Sequence, residues 1–251
     1  MAEPQIRVGI GGWDYDPWRD TFYPPGLSRA KQLAYAGEHL TSIEINGTYY
    51  SSQKPQTFAN WAKAVPDGFV FSVKASRFAT NRKVLADGAD SIQRFLGQGI
   101  TELGDRLGPI LWQFMATKKF DADEFAAFLD LLPAKQDGLK LRHALEVRHD
   151  SFHDPRFFAL AKAANAAIVL ADSDTFPVID EDTADFRYVR LQNSVEDRPT
   201  GYDAKALDQW AGRARKWATK GDAFVYFISG AKVRNPAAAL ALQQRLGIAP
   251  A

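Results

Sequence analysis

Eight short runs rich in β-branched and aromatic residues punctuate the 251-residue chain, and stretches of helical periodicity separate most of them. The runs fall at 7–11, 42–46, 69–74, 109–114, 144–148, 167–172, 186–192 and 223–228. Amphipathic patterns cover 30–39, 55–63, 122–131, 155–164, 204–217 and 236–245. Many strand-to-strand intervals approach the roughly 30 residues that a βαβ unit needs, so the strands are expected to be parallel. The connection over 173–185 is too short and polar for a full helix. These features predict a single-domain α/β chain over 1–251, folded as a TIM-type (β/α)8 barrel with the helix between strands six and seven reduced or missing. A doubly wound open sheet remains the alternative, because it too gathers residues at its strand ends.

Composition narrows what such a fold can do. Hydrophobic residues make up 46% of the chain, enough for a large core, and there is no cysteine. Disulfides, thiolate nucleophiles, iron–sulfur ligation and cysteine-based zinc sites are thereby removed. A net charge of +1 supplies no overall pull toward nucleic acid or anionic membrane. Residues 1–5 have neither a basic nor an apolar leader region, and no stretch is long and apolar enough to span a bilayer. A cytoplasmic protein without membrane contact is the expectation; the oligomeric state is left open.

Side chains alternate across a strand, so Ile43 and Ile45 share the face that meets the helices while Glu44 and Asn46 share the other. The same phase places inward Ser72 and Lys74, Leu111 and Gln113, Glu146 and Arg148, Leu170 and Asp172, and Tyr188, Arg190 and Gln192. Polar or charged residues thus recur near the C-terminal strand ends, the face where barrels carry their sites.

With these positions placed, the chain resembles the YecE-like family, also called domain of unknown function family 72, which has a TIM-barrel-type fold. The resemblance runs from about Gly9 to Leu246. It rests on Gly9, Gly12, Trp13, Tyr15 and Trp18 in one run, Phe22 to Pro24, Glu44 and Asn46 followed by Tyr49 and Tyr50, and Phe69 to Lys74. It continues through Leu107 to Gln113, Glu146, Arg148 and His149 with Ser151 and Phe152, Ala171 to Ser173, Thr183 to Arg190, and Tyr202 ahead of Trp210. The resemblance implies a barrel and no settled reaction; nucleic-acid work is suggested for the family through its likeness to barrel nucleases. This chain departs from the pattern at Asn81 and Gln192, where histidines are usual, at Ile228 to Gly230, where an asparagine- and aspartate-rich turn is usual, and at Met115 in place of a common proline. The departures point to a divergent member with an altered or lost activity.

The predicted mouth holds Glu44, Glu146 and Asp172 against Lys74, Arg148 and Arg190. Three cations against three carboxylates leave little negative charge for a dication, and no histidine pattern adds ligands, so no metal or other cofactor is expected. A small polar or phosphate-bearing molecule fits better. Arg148 and Arg190 would clamp an anion, Gln113, Asn46 and Gln192 would orient polar groups, and Trp13, Tyr15 and Tyr49 would stack on a ring. If chemistry occurs, Glu44, Lys74, Glu146 and Asp172 are the candidate catalysts, with Lys74 tuned by neighbouring arginines toward general-base or Schiff-base use. Against this stands a structural reading, in which Glu146, Arg148 and Arg190 simply form a buried ion-pair network. A further alternative is a nuclease-like or non-catalytic barrel that binds nucleic acid or a protein partner through rim residues Arg77, Arg82 and Lys83. Arg213, Arg215 and Lys216 read as a solvated helix face.

Overall fold

The structure is a computed structural model that describes residues 5–249. Residues 1–4, on which most of the leader-free reading rests, lie outside the described residues. Nine strand segments form one sheet: β1 (Ile6–Gly11), β2 (Ser42–Ile45), β3 (Val70–Lys74), β4 (Leu107–Gln113), β5 (His143–Glu146), β6 (Ala167–Ile168), β7 (Leu170–Asp172), β8 (Phe186–Leu191) and β9 (Asp222–Phe227). Their order is β6-β5-β4-β3-β2-β1-β9-β8-β7, and every pairing within it is parallel. Only Val169 separates β6 from β7, and its N–H donates to the Leu145 carbonyl at 3.0 Å. The two end segments are therefore halves of one interrupted sixth strand, and the sheet is nearly closed into a barrel. That answers the choice between barrel and open sheet.

Helices α1 (Arg29–His39), α2 (Pro55–Lys63), α3 (Ala89–Leu96), α4 (Ala122–Asp130), α5 (Pro155–Ala163), α6 (Ala204–Trp217) and α7 (Asn235–Leu246) accompany the strands. Their starts follow local chemistry. The side chains of Asp121, Asp154 and Asp203 each accept a backbone N–H of the first helical turn, and Pro55, Pro155 and Pro236 occupy first-turn positions where a missing N–H costs nothing. Residues 173–185 carry no helix, as their length and polarity predict. No described helix is long and apolar enough to cross a membrane.

Two apolar layers follow from strand alternation. The outer one, between sheet and helices, includes Val8, Ile43, Val73, Trp112, Leu145 and Val189. The inner one fills the barrel with Val70, Leu111, Ala144, Val169, Phe186, Phe224, Tyr188 and Tyr226. The tyrosine hydroxyls inside are satisfied: Tyr226 pairs with Ser42 and Tyr188 with Ser72, each at 2.7 Å. A buried hydroxyl left without such a partner would cost a few kcal/mol, roughly 1–3. This neutral polar layer supports the charged one above it.

The sixth strand corrects one expectation. Ala167 and Val169 belong to the inner layer, whereas Leu170 packs in the outer one, so the predicted inward phase of Leu170 and Asp172 is reversed. The run from Ala167 to Ala171 is apolar on both faces, as parallel strands covered on both sides usually are. Alternation then carries no sign of which face is which. The larger Ile168 and Leu170 go outward and the smaller Ala167 and Val169 go inward.

Candidate functional site

Above the tyrosine layer, the ends of β2, β4, β5 and β8 converge on an ion network. Arg190, 2% exposed, donates from Nε and Nη2 to the two carboxylate oxygens of Glu44 at 3.1 and 3.0 Å, and from Nη1 to Glu146 Oε2. Tyr188 reinforces Glu44 with a 2.7 Å hydroxyl bond. Glu146 Oε1 receives Arg148 Nε at 2.9 Å, Arg148 Nη2 at 2.8 Å and the Gln113 amide at 3.0 Å. Burial alone would push the Glu146 carboxyl up, but the charges of Arg190, Arg148 and Lys74 outweigh it and hold it down at about 2. Burial would likewise lower Arg190, and Glu146 and Glu44 raise it instead. The buried ion-pair network read from sequence is thus present, and Arg190 spends its charge on two carboxylates rather than facing outward as a clamp.

Lys74 behaves differently. It ends β3 and is 8% exposed, yet among the described residues its Nζ has no hydrogen-bond acceptor and no carboxylate within ion-pair distance. The ammonium rests over the Tyr49 ring, 4.2 Å from the centroid. Burial first, then Arg190 and Arg148, bring its pKa down to about 8 from 10.5, against the opposing pull of Glu44 and Glu146. The Tyr49 hydroxyl is held by the Asn81 amide at 3.2 Å, so the position where the related family usually has histidine lies one contact from the Lys74 support.

A cavity of about 640 Å³ opens over these residues, within the size range of small-molecule sites. Trp13, Asn46, Lys74, Gln113, Arg148 and Arg190 line it, together with Asp14, Tyr50, Gln53, Trp61, Ser229 and Lys232. Glycine keeps its floor open: a Cβ on Gly11 would lie 2.9 Å from the Asn46 amide nitrogen and 3.3 Å from Ile228. Gly12 beside it has φ 72°, which a side chain would strain.

Lys232 is a site residue that strand alternation does not reach, because it lies past the end of β9, where no phase applies. Its Nζ sits 4.2 Å from the centroid of Tyr15, no carboxylate lies within ion-pair distance among the described residues, and Asp14 attracts it from farther off. Tyr15 therefore supports a rim cation and does not line the cavity. Gln192 also stands apart from the cavity; its backbone N–H donates to the Asp172 carbonyl, and its side-chain nitrogen is buried without a partner among the described residues. His149 caps the turn after β5 through Ser151, and no group of three His, Asp or Glu side chains among the described residues is arranged to hold a metal ion.

Asp172 is the charged residue whose expected place the structure corrects. Facing outward, it lines a separate cavity of about 680 Å³ against α6, with Asn193, Tyr202, Trp210, Arg213 and Lys216. The Tyr202 hydroxyl donates to it at 3.0 Å and the Asn193 amide at 3.3 Å. Burial raises its pKa more than these two bonds lower it. The strand-borne side chains of the mouth consequently give two inward carboxylates against three cations rather than three against three, and Asp14 and Lys232 add one charge of each sign beyond the strand ends.

The family described as protein of unknown function DUF72 matches over residues 7–251. The chain belongs to the DUF72 family. Among curated proteins it is similar to the UPF0759 protein YecE of Escherichia coli K12, at 28% identity over 157 residues. That match covers 61% of this chain and spans half the length of the relative. Two crystal structures of DUF72 proteins share its fold. The one from Thermotoga maritima has TM-score 0.79 at 21% identity, covering 97% of this chain and 99% of that one. The one from Enterococcus faecalis has TM-score 0.75 at 20% identity, covering 98% and 99%. The DUF72 barrel is thus common to these chains.

Proposed function

We propose that this DUF72 protein binds a small anionic organic molecule in the cavity at the C-terminal end of its barrel. The observation that carries this reading is the pair of ammonium groups, Lys74 and Lys232, that line one cavity with no carboxylate within ion-pair distance among the described residues. Glu44 and Glu146 are already occupied by Arg190 and Arg148. Asp14 at the rim faces Arg29 at 3.8 Å. Desolvating a cation without a counter-ion is costly, and an anionic ligand removes that cost while gaining charge-assisted hydrogen bonds.

Arg148 adds direction. Nε and Nη2 are held on Glu146, which fixes the guanidinium plane, and the guanidinium carbon lies 4.2 Å from the ring centroid of Phe176 in the helix-free connection. Nη1 remains for a carboxylate or phosphate oxygen. Trp13, packed edge-on against Trp61, offers an aromatic wall, and Asn46 and Gln113 supply neutral polar contacts. The ligand class is therefore a carboxylate or phosphate monoester with a compact polar body.

Thermal melting in phosphate, pyruvate and citrate, against sodium chloride at matched ionic strength, tests the reading. Bound anion raises the melting temperature by linkage, and the rise is lost in the Lys74→Met, Lys232→Met double variant. No rise beyond that in chloride, or an equal rise in the double variant, would overturn it.

A further inference from the structure

We infer that Lys74 is a nucleophile that condenses with the carbonyl group of an anionic aldehyde or ketone, such as a 2-oxoacid or a phosphorylated carbonyl compound. The inference rests on the anion-site reading above and adds a covalent step to it.

Three features of the geometry single out this amine. Lys74 ends a strand of the barrel, so its backbone is fixed while its Nζ reaches the cavity. The Nζ has no hydrogen-bond acceptor among the described residues, and it lies over the face of Tyr49, 4.2 Å from the ring centroid. The surrounding cations divide the remaining roles, since Arg190 is held by two carboxylates, whereas Arg148 and Lys232 face the cavity and can hold the ligand's anionic end. With its pKa brought to about 8, about a tenth of Lys74 is the neutral, reactive amine at pH 7, far more than for a lysine at the ordinary 10.5. Lys232 is less suited, being half-buried at the rim over two aromatic rings.

The step balances without an added oxidant or reductant. The Nζ lone pair forms a bond to the carbonyl carbon, and the carbonyl π pair moves to oxygen. A proton passes from nitrogen to that oxygen, giving a carbinolamine. The carbon–oxygen bond then breaks, and oxygen leaves as water with the second amine hydrogen, leaving a carbon–nitrogen double bond. Protonation of the imine nitrogen from solvent at the open mouth gives an iminium beside Glu44 and Glu146. Glu146, whose carboxyl is held down at about 2 by Arg190, Arg148 and Lys74, offers that positive charge an ionised neighbour.

The test is reductive trapping. The protein is incubated separately with pyruvate and with glyceraldehyde 3-phosphate, each with and without sodium cyanoborohydride, then examined by intact mass and peptide mapping. One reduced adduct per chain on Lys74 is expected, formed ahead of the exposed lysines. Lys74→Arg, confirmed folded by its melting curve, is expected to lose that adduct. Labelling of exposed lysines with Lys74 unmodified, no labelling with either probe, or an undiminished single adduct in Lys74→Arg would each overturn the inference. Melting of the unmodified protein in phosphate, which has no carbonyl, separates the two readings. A phosphate-induced rise without the Lys74 adduct removes the covalent step and leaves the anion site standing, whereas absence of both removes both.

Discussion

The two halves of the barrel mouth use charge in opposite ways. On the side of β4, β5 and β8, with Glu44 reaching in from β2, each charged group has partners: Arg190 bridges Glu44 and Glu146, and Arg148 and Gln113 complete Glu146. The other half of the charges stands at the end of β3, between β2 and β4, and on the segment after β9, where Lys74 and Lys232 rest on tyrosine rings and face open space. The paired half is a scaffold, because its groups have already satisfied one another. The unpaired half holds unspent electrostatic energy, and that is where a ligand gains most.

The largest effect should come from breaking the paired half. Arg190→Met leaves Glu44 and Glu146 buried with only partial compensation, and loss of one partner in a buried network costs about 3–5 kcal/mol. Urea unfolding should show that loss at neutral pH. A cost below about 1 kcal/mol would mean that the network is not a scaffold and would erase the contrast between the halves.

Acid should attack the same half. Glu146 has its carboxyl pKa lowered in the folded state, from 4.5 to about 2, so the folded state binds fewer protons than the unfolded chain between those values. Its contribution is fully present above about pH 4.5 and is lost as pH falls toward 2. Glu146→Gln should flatten the part of the acid-unfolding curve in that window. An unchanged slope there would assign acid sensitivity to other carboxylates.

The unpaired half should respond with the opposite sign. Lys74→Met removes a buried cation that has no carboxylate within ion-pair distance among the described residues, and it should stabilise the free protein by about 1–2 kcal/mol at pH 7 while weakening anion binding. The Lys74 pKa is lowered on folding, so between about 8 and 10.5 the unfolded chain binds more protons and the stability of the wild-type protein rises with pH. The advantage of Lys74→Met should therefore shrink across that window. Melting curves of both proteins from about pH 7 to 10.5 check this, and a constant difference would show that Lys74 is not desolvated.

Much of this contrast is legible from strand phase, for a physical reason. Near the C-terminal ends of β2, β3, β5 and β8 the apolar Ile45, Val73, Leu145 and Val189 alternate with charged residues, so alternation assigns Glu44, Lys74, Glu146 and Arg190 inward. The barrel itself follows from the spacing of those strands. The sixth strand defeats that logic because both its faces are apolar. Lys232 and Asp14 escape it because they lie beyond strand ends, where chain direction depends on turns such as the left-handed conformation of Ser229 at φ 66°. Sequence offers the network of Glu146, Arg148 and Arg190 as one reading but does not decide it, and it leaves Glu44 out. Which of three inward cations is satisfied and which is left free depends on distances between strands that are far apart in the chain.

Asp172 offers the smallest effect and the cleanest separation. It lies on the far side of the barrel wall, bonded to Tyr202 and Asn193, and no charged partner lies within ion-pair distance among the described residues. Burial dominates its raised pKa, so the ionised form is already disfavoured there. Asp172→Asn keeps the shape and removes the charge. It can still accept the Tyr202 hydroxyl through its amide oxygen, while its new N–H₂ must replace an acceptor facing Asn193. The two changes oppose each other, and the net effect on stability should stay within about 1 kcal/mol. Anion-induced melting shifts at the mouth should be unchanged, since the side chain faces α6 rather than Lys74. A large loss of those shifts would connect the outer cavity to the mouth through β7 and β8, and the two halves would then have to be understood with the barrel wall between them as a third, coupled element.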